Sequence, residues 1–312
     1  AGTPDKSNDV DESLWNETVN KDITKELTQV GNGWELKISN LPAGNDVVIR
    51  FTCEALEAGN GAEGVNVGTV SATNGIEKSD DAEAYINTAA LSIDKQVVNK
   101  YASGGEEDAK DGREGYEFRV GDDIEYKLIV NNNQKGSVAR NVVISDTTIS
   151  AGLTLDESSI TVEGLPDTYT NPVGGTEDES NQLDPDHYKE TEIAPIISNV
   201  EPVKGGFQVT IDNLPCTTGD DLNNLTTPVV ITYHCTVEED INGDVIVNTA
   251  KAAADNAEEV TDSEKIWVNS PVLDMTKKAD REEYMVGDTI TYQVDLDQTQ
   301  TGCVARNIVF TD

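Results

Sequence analysis

An internal repeat constrains the architecture of this chain more than any other feature of its sequence. The segment Val120–Tyr126 (VGDDIEY) reappears as Val286–Tyr292 (VGDTITY), and Arg140–Asp146 reappears as Arg306–Asp312. The interval along the chain from the first copy to the second is identical for the two segments. Similarity at a fixed spacing is typical of chains that are built from repeated structural units.

A second set of matches joins the start of the chain to its middle, at a longer spacing that is again constant. Cys53 recurs as Cys235, Val65-Asn66 as Val247-Asn248, and Leu91–Lys95 as Leu273–Lys277. A Gly-rich, charged insertion at Ser103–Gly115, interpreted as a loop, accounts for the difference between the two spacings. We therefore predict one complete repeat at 91–270, the C-terminal part of a first repeat at 1–90, and the N-terminal strands of a third at 271–312.

The complete repeat contains short segments of alternating polarity that are separated by turn residues. They are Ile124–Val130, Asn141–Ser145, Phe207–Ile211, Val229–Val237, Val245–Ala253 and Lys265–Val268. This pattern predicts an all-β fold of tandem Ig-like β-sandwich repeats, of which the first and last are incomplete in this chain. The polar, Gly- and Pro-containing segment from Thr170 to Asp186 is predicted to be a long exposed loop.

The charge of the chain excludes several classes of partner. There are 22 basic against 59 acidic side chains, which gives a formal net charge of −37. A DNA- or RNA-binding protein needs a basic face for the phosphates, and docking on anionic lipid needs one too. No apolar run approaches the ~20 residues that a membrane-spanning helix requires. We therefore expect no nucleic-acid partner and no membrane insertion in this segment.

Residues for ordinary turnover catalysis and metal binding are scarce. The chain has only two histidines, His187 and His234, so it offers very few residues for a Ser-His or Cys-His nucleophile. Its four cysteines show no zinc-type spacing; they are Cys53, Cys216, Cys235 and Cys303. We expect no cofactor, no metal site and no multiple-turnover enzyme. A disulfide that joins Cys216 to Cys235 or to Cys303 remains an alternative to free thiols.

Three polar residues are predicted on the core face of the sandwich. Side chains alternate between the two faces of a strand, so residues of equal parity share a face. Lys95 has the parity of the apolar residues that precede it, and Asp146 and Asn248 likewise share the parity of apolar neighbours on their own strands. The pattern recurs at Lys277 and Asp312 in the third repeat and at Asn66 in the first.

A buried lysine, aspartate and asparagine together suggest a specific reaction. Desolvation lowers the pKa of a buried lysine and raises that of a buried carboxyl, so both can be neutral near pH 7. A neutral amine can attack the side-chain amide of asparagine, with the carboxyl group as general acid and base. The product is a Lys–Asn isopeptide bond, formed once, with loss of ammonia. Folding supplies the rate by holding the two groups in contact.

Each of these residues also has an ordinary interpretation. Lys95 could lie at a sheet edge with its stem packed and its ammonium in water. Asp146 could cap a turn, and Asn248 could hydrogen-bond a strand end. The recurrence of the pattern in register favours a functional triad over three unrelated roles.

These motifs resemble those of a known family. Leu91–Lys95, the Val-Gly-Asp-x-Ile-x-Tyr segment, Arg140–Asp146 and the Val-Asn-Thr-Ala sequence at 247–250 are similar to the isopeptide-forming domains of Gram-positive fimbrial and surface adhesins (the CnaA-like or D2 type) and to the related DUF11 surface repeats. The resemblance implies that Lys95 bonds to Asn248 with Asp146 as catalyst. It further implies that Lys277 and Asp312 are the lysine and acid of the third repeat, and that Asn66 is the acceptor of the first.

The resemblance implies an extracellular protein, at the cell surface or attached to the cell wall. The leading functional hypothesis is a structural stalk or filament of a surface adhesin or pilus, whose partners are neighbouring repeats or like subunits. A second hypothesis is an adhesin module that binds an unknown host or cell-surface ligand through its long loops. A third is a filament subunit in which the Lys277 and Asp312 of one chain meet the Asn66 of the next.

Overall fold

The computed structural model describes residues 25–44, 46–98, 115–149, 152–169, 194–195, 198–219 and 227–312. The predicted loop at Thr170–Asp186, and all of the predicted loop Ser103–Gly115 except Gly115, lie outside these described residues. The chain forms two compact units, 1–60 and 61–312. In the first unit, β1 (Lys25–Val30) and β2 (Gly33–Ile38) form an antiparallel hairpin, followed by a short 3-10 turn at Glu57–Gly59.

The second unit has a β-sandwich at its centre and a two-stranded antiparallel sheet on either side of it in sequence. The first flanking sheet pairs β3 (Glu63–Val70) with β4 (Lys78–Tyr85). The strands between the flanking sheets are β5 (Leu91–Val97), β6 (Tyr116–Phe118), β7 (Asp123–Asn132), β8 (Val138–Asp146), β9 (Leu153–Glu163), β10 (Thr168–Tyr169), β11 (Ala194–Pro195), β12 (Ser198–Val203), β13 (Gly206–Pro215), β14 (Val229–Val237), β15 (Val245–Ala254) and β16 (Ala257–Val268). The second flanking sheet pairs β17 (Leu273–Ala279) with β18 (Tyr292–Gln298).

Two sheets make up the sandwich. One has six strands in the order β12-β13-β8-β15-β16-β6, and the other has four in the order β5-β7-β14-β9. Neighbouring strands are antiparallel except β16 and β6, which are parallel. The first strand of the repeat, β5, therefore lies at one edge of the four-stranded sheet, whereas β15 lies inside the six-stranded sheet.

The core lies between these two sheets because their inner faces are apolar. In β7 every second residue from Ile124 to Asn132 is buried, as expected for a strand with one face in a core. The rings of Phe207 in the six-stranded sheet and Tyr233 in the four-stranded sheet meet edge to face, with centroids 4.8 Å apart. Aliphatic and aromatic side chains from both sheets complete one continuous cluster.

The all-β, Ig-like sandwich predicted from the sequence is confirmed. The six alternating segments lie within β7, β8, β13, β14, β15 and β16. The long strand β9 was not among the predicted segments. Its burial pattern is mixed, with exposed and half-buried residues in succession, so it lacks the strict alternation that marks the others. The repeat boundaries at 90 and 270 remain predictions.

Both flanking sheets carry exposed apolar side chains. Val65 and Val67 of β3 are exposed, as are Leu273 and Met275 of β17. All four cysteines are free thiols, which leaves neither of the disulfides considered above in place. No helix long and apolar enough to cross a membrane occurs in the described part of the chain.

Candidate functional site

The structure brings the three residues of the complete repeat's predicted triad together inside the sandwich. Lys95 projects from β5 of the four-stranded sheet, while Asp146 at the end of β8 and Asn248 on β15 project from the six-stranded sheet. Strands β8 and β15 are paired there, with Asp146 opposite Ala250. Lys95 is 1% exposed, and Asp146 and Asn248 are fully buried. The three side chains that strand alternation directs inward therefore meet at one place in the core.

A tyrosine links the three groups. Lys95 Nζ donates hydrogen bonds to Asp146 Oδ2 and, at 2.6 Å, to the hydroxyl oxygen of Tyr233. The same hydroxyl donates to Asp146 Oδ2 and accepts from Asn248 Nδ2 at 3.2 Å. The Tyr233 oxygen is thus in direct contact with the amine, the carboxyl group and the amide nitrogen.

Aromatic rings enclose the lysine amine. Lys95 Nζ lies 4.7 Å from the ring centroid of Tyr126 and 5.3 Å from that of Tyr233. These two rings stack with centroids 5.3 Å apart and an interplanar angle of 20°. Their faces attract a cation and also displace water from the amine.

The amide of Asn248 is held in one orientation by a threonine. Thr148 Oγ1 donates to Asn248 Oδ1 at 2.8 Å. Thr148 Oγ1 itself accepts the backbone N–H of Thr249 at 2.8 Å, so its own hydroxyl proton is free to point at the amide oxygen. The carbonyl oxygen of Asn248 therefore faces a hydrogen-bond donor while its nitrogen faces Tyr233.

Burial dominates the electrostatics of the site. Desolvation lowers the pKa of Lys95 below its usual 10.5, although the charge of Asp146 acts in the opposite direction. Desolvation also raises the pKa of Tyr233 well above 10, and the negative charge of Asp146 adds to that rise. Nearby, burial raises the pKa of Cys235 to about 12. The site thus favours an uncharged amine beside a phenol that keeps its proton.

One oxygen of the carboxyl group is unsatisfied. Asp146 Oδ1 is buried and has no hydrogen-bond partner among the described residues. A buried acceptor without a partner costs about 1–3 kcal/mol, and more when it carries charge.

Two backbone contacts fix the strands that carry the site. The backbone N–H of Lys95 donates to Asp262 Oδ2 of β16 at 2.7 Å, which ties the edge strand β5 to the opposite sheet. Gly206 begins β13 beside Asp146, and a Cβ atom at this position would overlap the main-chain oxygen of Asp146. Only glycine therefore allows β13 to approach β8 this closely.

The predicted residues of the flanking repeats are placed differently. Lys277 Nζ contacts Asp312 Oδ1 and lies 4.8 Å from the ring centroid of Tyr292, which reproduces the Lys95, Asp146 and Tyr126 arrangement. The Lys277 and Asp312 side chains are 32% and 59% exposed, so this arrangement is not buried. Asn66 lies on β3 opposite Ala82 and is also exposed. No contact in the described part of the chain joins Asn66 to Lys277 or Asp312.

Tyr233 and Thr148 were missed by reasoning from sequence. Tyr233 shares the parity of Ile231 and Cys235 on a strongly alternating strand, so its inward direction was readable. Its position beside Lys95, Asp146 and Asn248 was not, because the pattern within one strand reveals neither the order of the strands in a sheet nor how two sheets face each other. Thr148 follows the end of β8, where strand parity no longer applies.

Comparison with known proteins yields structural similarity alone. No family model and no curated protein sequence matches the chain. Among solved structures, the T6 backbone pilin of Streptococcus pyogenes aligns at 17% identity and TM-score 0.33, over 82% of this chain and 52% of that one. The RrgB pilus protein of Streptococcus pneumoniae aligns at 16% and 0.32, over 74% and 36%. The major pilin BcpA of Bacillus cereus aligns at 11% and 0.33, over 89% and 76%. The chain thus spans about half of the T6 pilin and about a third of RrgB.

Proposed function

We propose that this chain is a structural stalk segment of an extracellular bacterial filament or surface adhesin, locked by an autocatalytic isopeptide bond between Lys95 and Asn248. The observation that carries the proposal is the meeting of these two side chains around Asp146 and Tyr233 in the buried core. The lowered pKa of Lys95 favours the reactive free amine. The resemblance of its motifs to CnaA-like and DUF11 surface repeats supports the same assignment.

The side chains of the site account for every bond and every proton of the reaction. Lys95 Nζ attacks Asn248 Cγ, the Nζ–Cγ bond forms, the Cγ–Nδ2 bond breaks, and ammonia leaves. One proton must pass from Nζ to Nδ2. Asp146 takes that proton, Tyr233 donates its own proton to Nδ2, and Asp146 then returns the proton to the tyrosine oxygen. Thr148 stabilises the negative charge that develops on Asn248 Oδ1.

A buried ion pair without such chemistry is a poor source of stability. Desolvation of two charged groups often costs as much as their attraction returns. The present site adds an unsatisfied carboxyl oxygen to that cost. Bond formation converts the lysine amine permanently into an uncharged amide and the cluster into a covalent link between the first strand of the repeat and β15. The arrangement is therefore better suited to a crosslink than to a non-covalent contact.

Mass spectrometry of the intact chain tests this proposal. We expect the wild-type protein to be lighter than its sequence mass by one ammonia, and the Lys95→Ala and Asp146→Ala variants to have their full calculated masses. Lys251→Ala is the matched control, because Lys251 is an exposed lysine of β15 that pairs with Glu259 at 3.2 Å. This control should retain the mass deficit.

Peptide mapping resolves an ambiguity in the mass. Succinimide formation at Asn-Gly sequences such as Asn242-Gly243 also releases ammonia. A protease digest of the wild type should instead contain one branched peptide that joins the Lys95 segment to the Asn248 segment. A wild-type digest with two linear peptides only would refute the isopeptide bond.

Removal of the tyrosine hydroxyl should slow the reaction without removing either bonded partner. In Tyr233→Phe, the amide nitrogen loses its contact with the proton relay, and general acid-base assistance of this kind is worth about 10²–10⁴-fold in rate. We expect the variant to fold, with slow appearance of the mass deficit after refolding. Tyr284→Phe, a substitution of an exposed tyrosine whose hydroxyl contacts Asp280, is the control. Bond formation in Tyr233→Phe at the wild-type rate would exclude the relay.

A further inference from the structure

The two ends of the sandwich carry the same unusual contact between glycines. Gly61 approaches Gly136 at one end, and Gly243 approaches Gly302 at the other. All four have positive φ angles, of 75°, 75°, 100° and 79° respectively. A Cβ atom on Gly136 would overlap the main-chain oxygen of Gly61, and one on Gly302 would overlap that of Gly243. Each contact therefore requires glycine for two independent reasons.

An asparagine holds the chain beside each glycine contact. Asn87 Nδ2 donates to the Val138 carbonyl oxygen at 3.0 Å, and Val138 N–H donates to Asn87 Oδ1 at 2.9 Å. Asn269 makes the same two bonds to Val304, at 3.2 and 2.8 Å. In both places one side-chain amide satisfies both polar groups of one backbone residue.

An aromatic donor completes each cluster. The Tyr85 hydroxyl lies 2.7 Å from the Gly136 carbonyl oxygen and 2.9 Å from that of Gly61. Trp267 Nε1 donates to the Gly302 carbonyl oxygen at 3.3 Å. A large planar ring is thus held against the glycine contact at each end by a polar bond to the backbone.

The two clusters are copies of one interface, because each half of the first recurs in the second at one of the two repeat spacings. The half that recurs at the longer spacing consists of Gly61, Tyr85 and Asn87, whose counterparts are Gly243, Trp267 and Asn269. The half that recurs at the shorter spacing consists of Gly136 and Val138, whose counterparts are Gly302 and Val304. One half of each cluster therefore comes from the end of one repeat, and the other half comes from the β7–β8 turn of the next repeat or its counterpart after β18.

We infer that successive repeats dock end to end through this joint, in one fixed orientation. The complete repeat presents Gly243, Trp267 and Asn269 at one end, and Gly136 and Val138 at the other, so each repeat fits the next like repeat. Only residues 269–272 separate β16 from β17, which leaves little free chain at the joint. A tandem array of such repeats is a stiff rod whose segments do not swivel independently. This inference does not depend on the isopeptide bond.

The second joint carries an additional ion pair. Arg306 Nη1 donates to both Glu117 oxygens, at 3.0 and 2.8 Å, and its guanidinium lies 5.6 Å from the Trp267 ring centroid. Asn269 Nδ2 also donates to Glu117 Oε1 at 2.6 Å. The strand β6 that bears Glu117 thus takes part in holding the following segment, as expected of an interface and not of a linker.

Residual dipolar couplings of the full 312-residue chain test the joint. In a rigid joint, couplings from β3–β4, the sandwich and β17–β18 fit one alignment tensor. We expect this common tensor in the wild type and its loss for β17–β18 in Gly302→Ala. Gly287→Ala is the matched control, since Gly287 also has a positive φ, of 98°, but no atom lies within 4 Å of its Cβ position. This control should keep the common tensor.

The first joint offers the same comparison. Gly136→Ala should separate the tensor of β3–β4 from that of the sandwich, whereas Gly121→Ala, with φ of 85° and open space around its Cβ position, should not. Separate tensors in the wild type, or a common tensor in both Gly302→Ala and Gly136→Ala, would overturn the inference.

Amide hydrogen exchange gives a readout for variants that preserve the glycines. Asn87→Ala should accelerate exchange at Val138 N–H and Asn269→Ala at Val304 N–H, each by about fivefold, which is the effect of one net hydrogen bond of about 1 kcal/mol. Each substitution should leave the amide of the other joint unchanged. Unaltered exchange at both amides would count against the interface.

Discussion

Replacement of Asn248 by alanine is expected to lower the free energy of unfolding of the sandwich by about 5 kcal/mol, because the proposed crosslink to Lys95 would close a loop of about 150 residues and thereby restrict the unfolded chain. For a domain of this size, such a loss corresponds to a decrease of roughly 10–20 °C in Tm. Differential scanning calorimetry of the two proteins measures it. The proposed bond would act on the unfolded state and leave the folded one unaltered, so the two folded proteins should give closely similar amide NMR spectra.

A double-mutant cycle separates the bond from the asparagine side chain itself. In a Lys95→Met background no crosslink can form, and Asn248→Ala then removes only the hydrogen bonds to Tyr233 and Thr148. In this background the substitution should cost about 1 kcal/mol per bond lost. The difference between the two backgrounds is the contribution of the covalent link. Equal losses in both backgrounds would show that Lys95 and Asn248 are not bonded.

Much of the site could be predicted from the sequence because strand periodicity is simple. A side chain that keeps parity with apolar neighbours lies on the same face of the strand as they do. This rule placed Lys95, Asp146 and Asn248 inside, and the structure has all three buried.

The remaining parts of the site depend on how the two sheets are stacked. Tyr233 reaches the triad from β14, which is in the same sheet as Lys95 and faces Asp146 and Asn248 across the core, and Thr148 reaches it from a turn. No pattern within one strand specifies such a meeting. Periodicity also predicted a core face for Lys277 and Met275, which are exposed here. Parity gives the strand face on which a residue lies together with its apolar neighbours. Burial requires in addition that a second sheet cover that face.

The glycines of the joints illustrate a different limit. Their recurrence at the two repeat spacings was readable in the sequence, yet glycine recurs for many reasons in turn-rich β proteins. Only the backbone approach of Gly302 to Gly243, and of Gly136 to Gly61, distinguishes these positions from open turns such as Gly121. Close approach involves two segments of the chain. The repeat spacings therefore identify candidate glycines, and the three-dimensional fold shows which of them are in contact.

Mechanical stretching should reveal the largest consequence of the proposed bond. With the chain held at its two ends, force enters the sandwich through β5 and leaves through β16. The crosslink would carry the force from Lys95 directly to Asn248, and residues 96–247 would never be extended. Without it, unfolding releases those residues, which is about 500 Å of additional contour length at roughly 3.3–3.6 Å per residue. Single-molecule force spectroscopy measures this length.

The test of this prediction compares variants that can form the Lys95–Asn248 bond with variants that cannot. Lys95→Ala and Asp146→Ala should both show the additional extension, although the latter keeps both bonded residues. Lys251→Ala retains the site and should behave like the wild type, because Lys251 and Glu259 form an exposed ion pair that takes no part in the buried triad. Release of about 500 Å by the wild-type sandwich would show that force passes through the non-covalent strand contacts. The stalk would then depend on ordinary β-sheet hydrogen bonds, and the buried triad would contribute to packing without protecting the sandwich against tension.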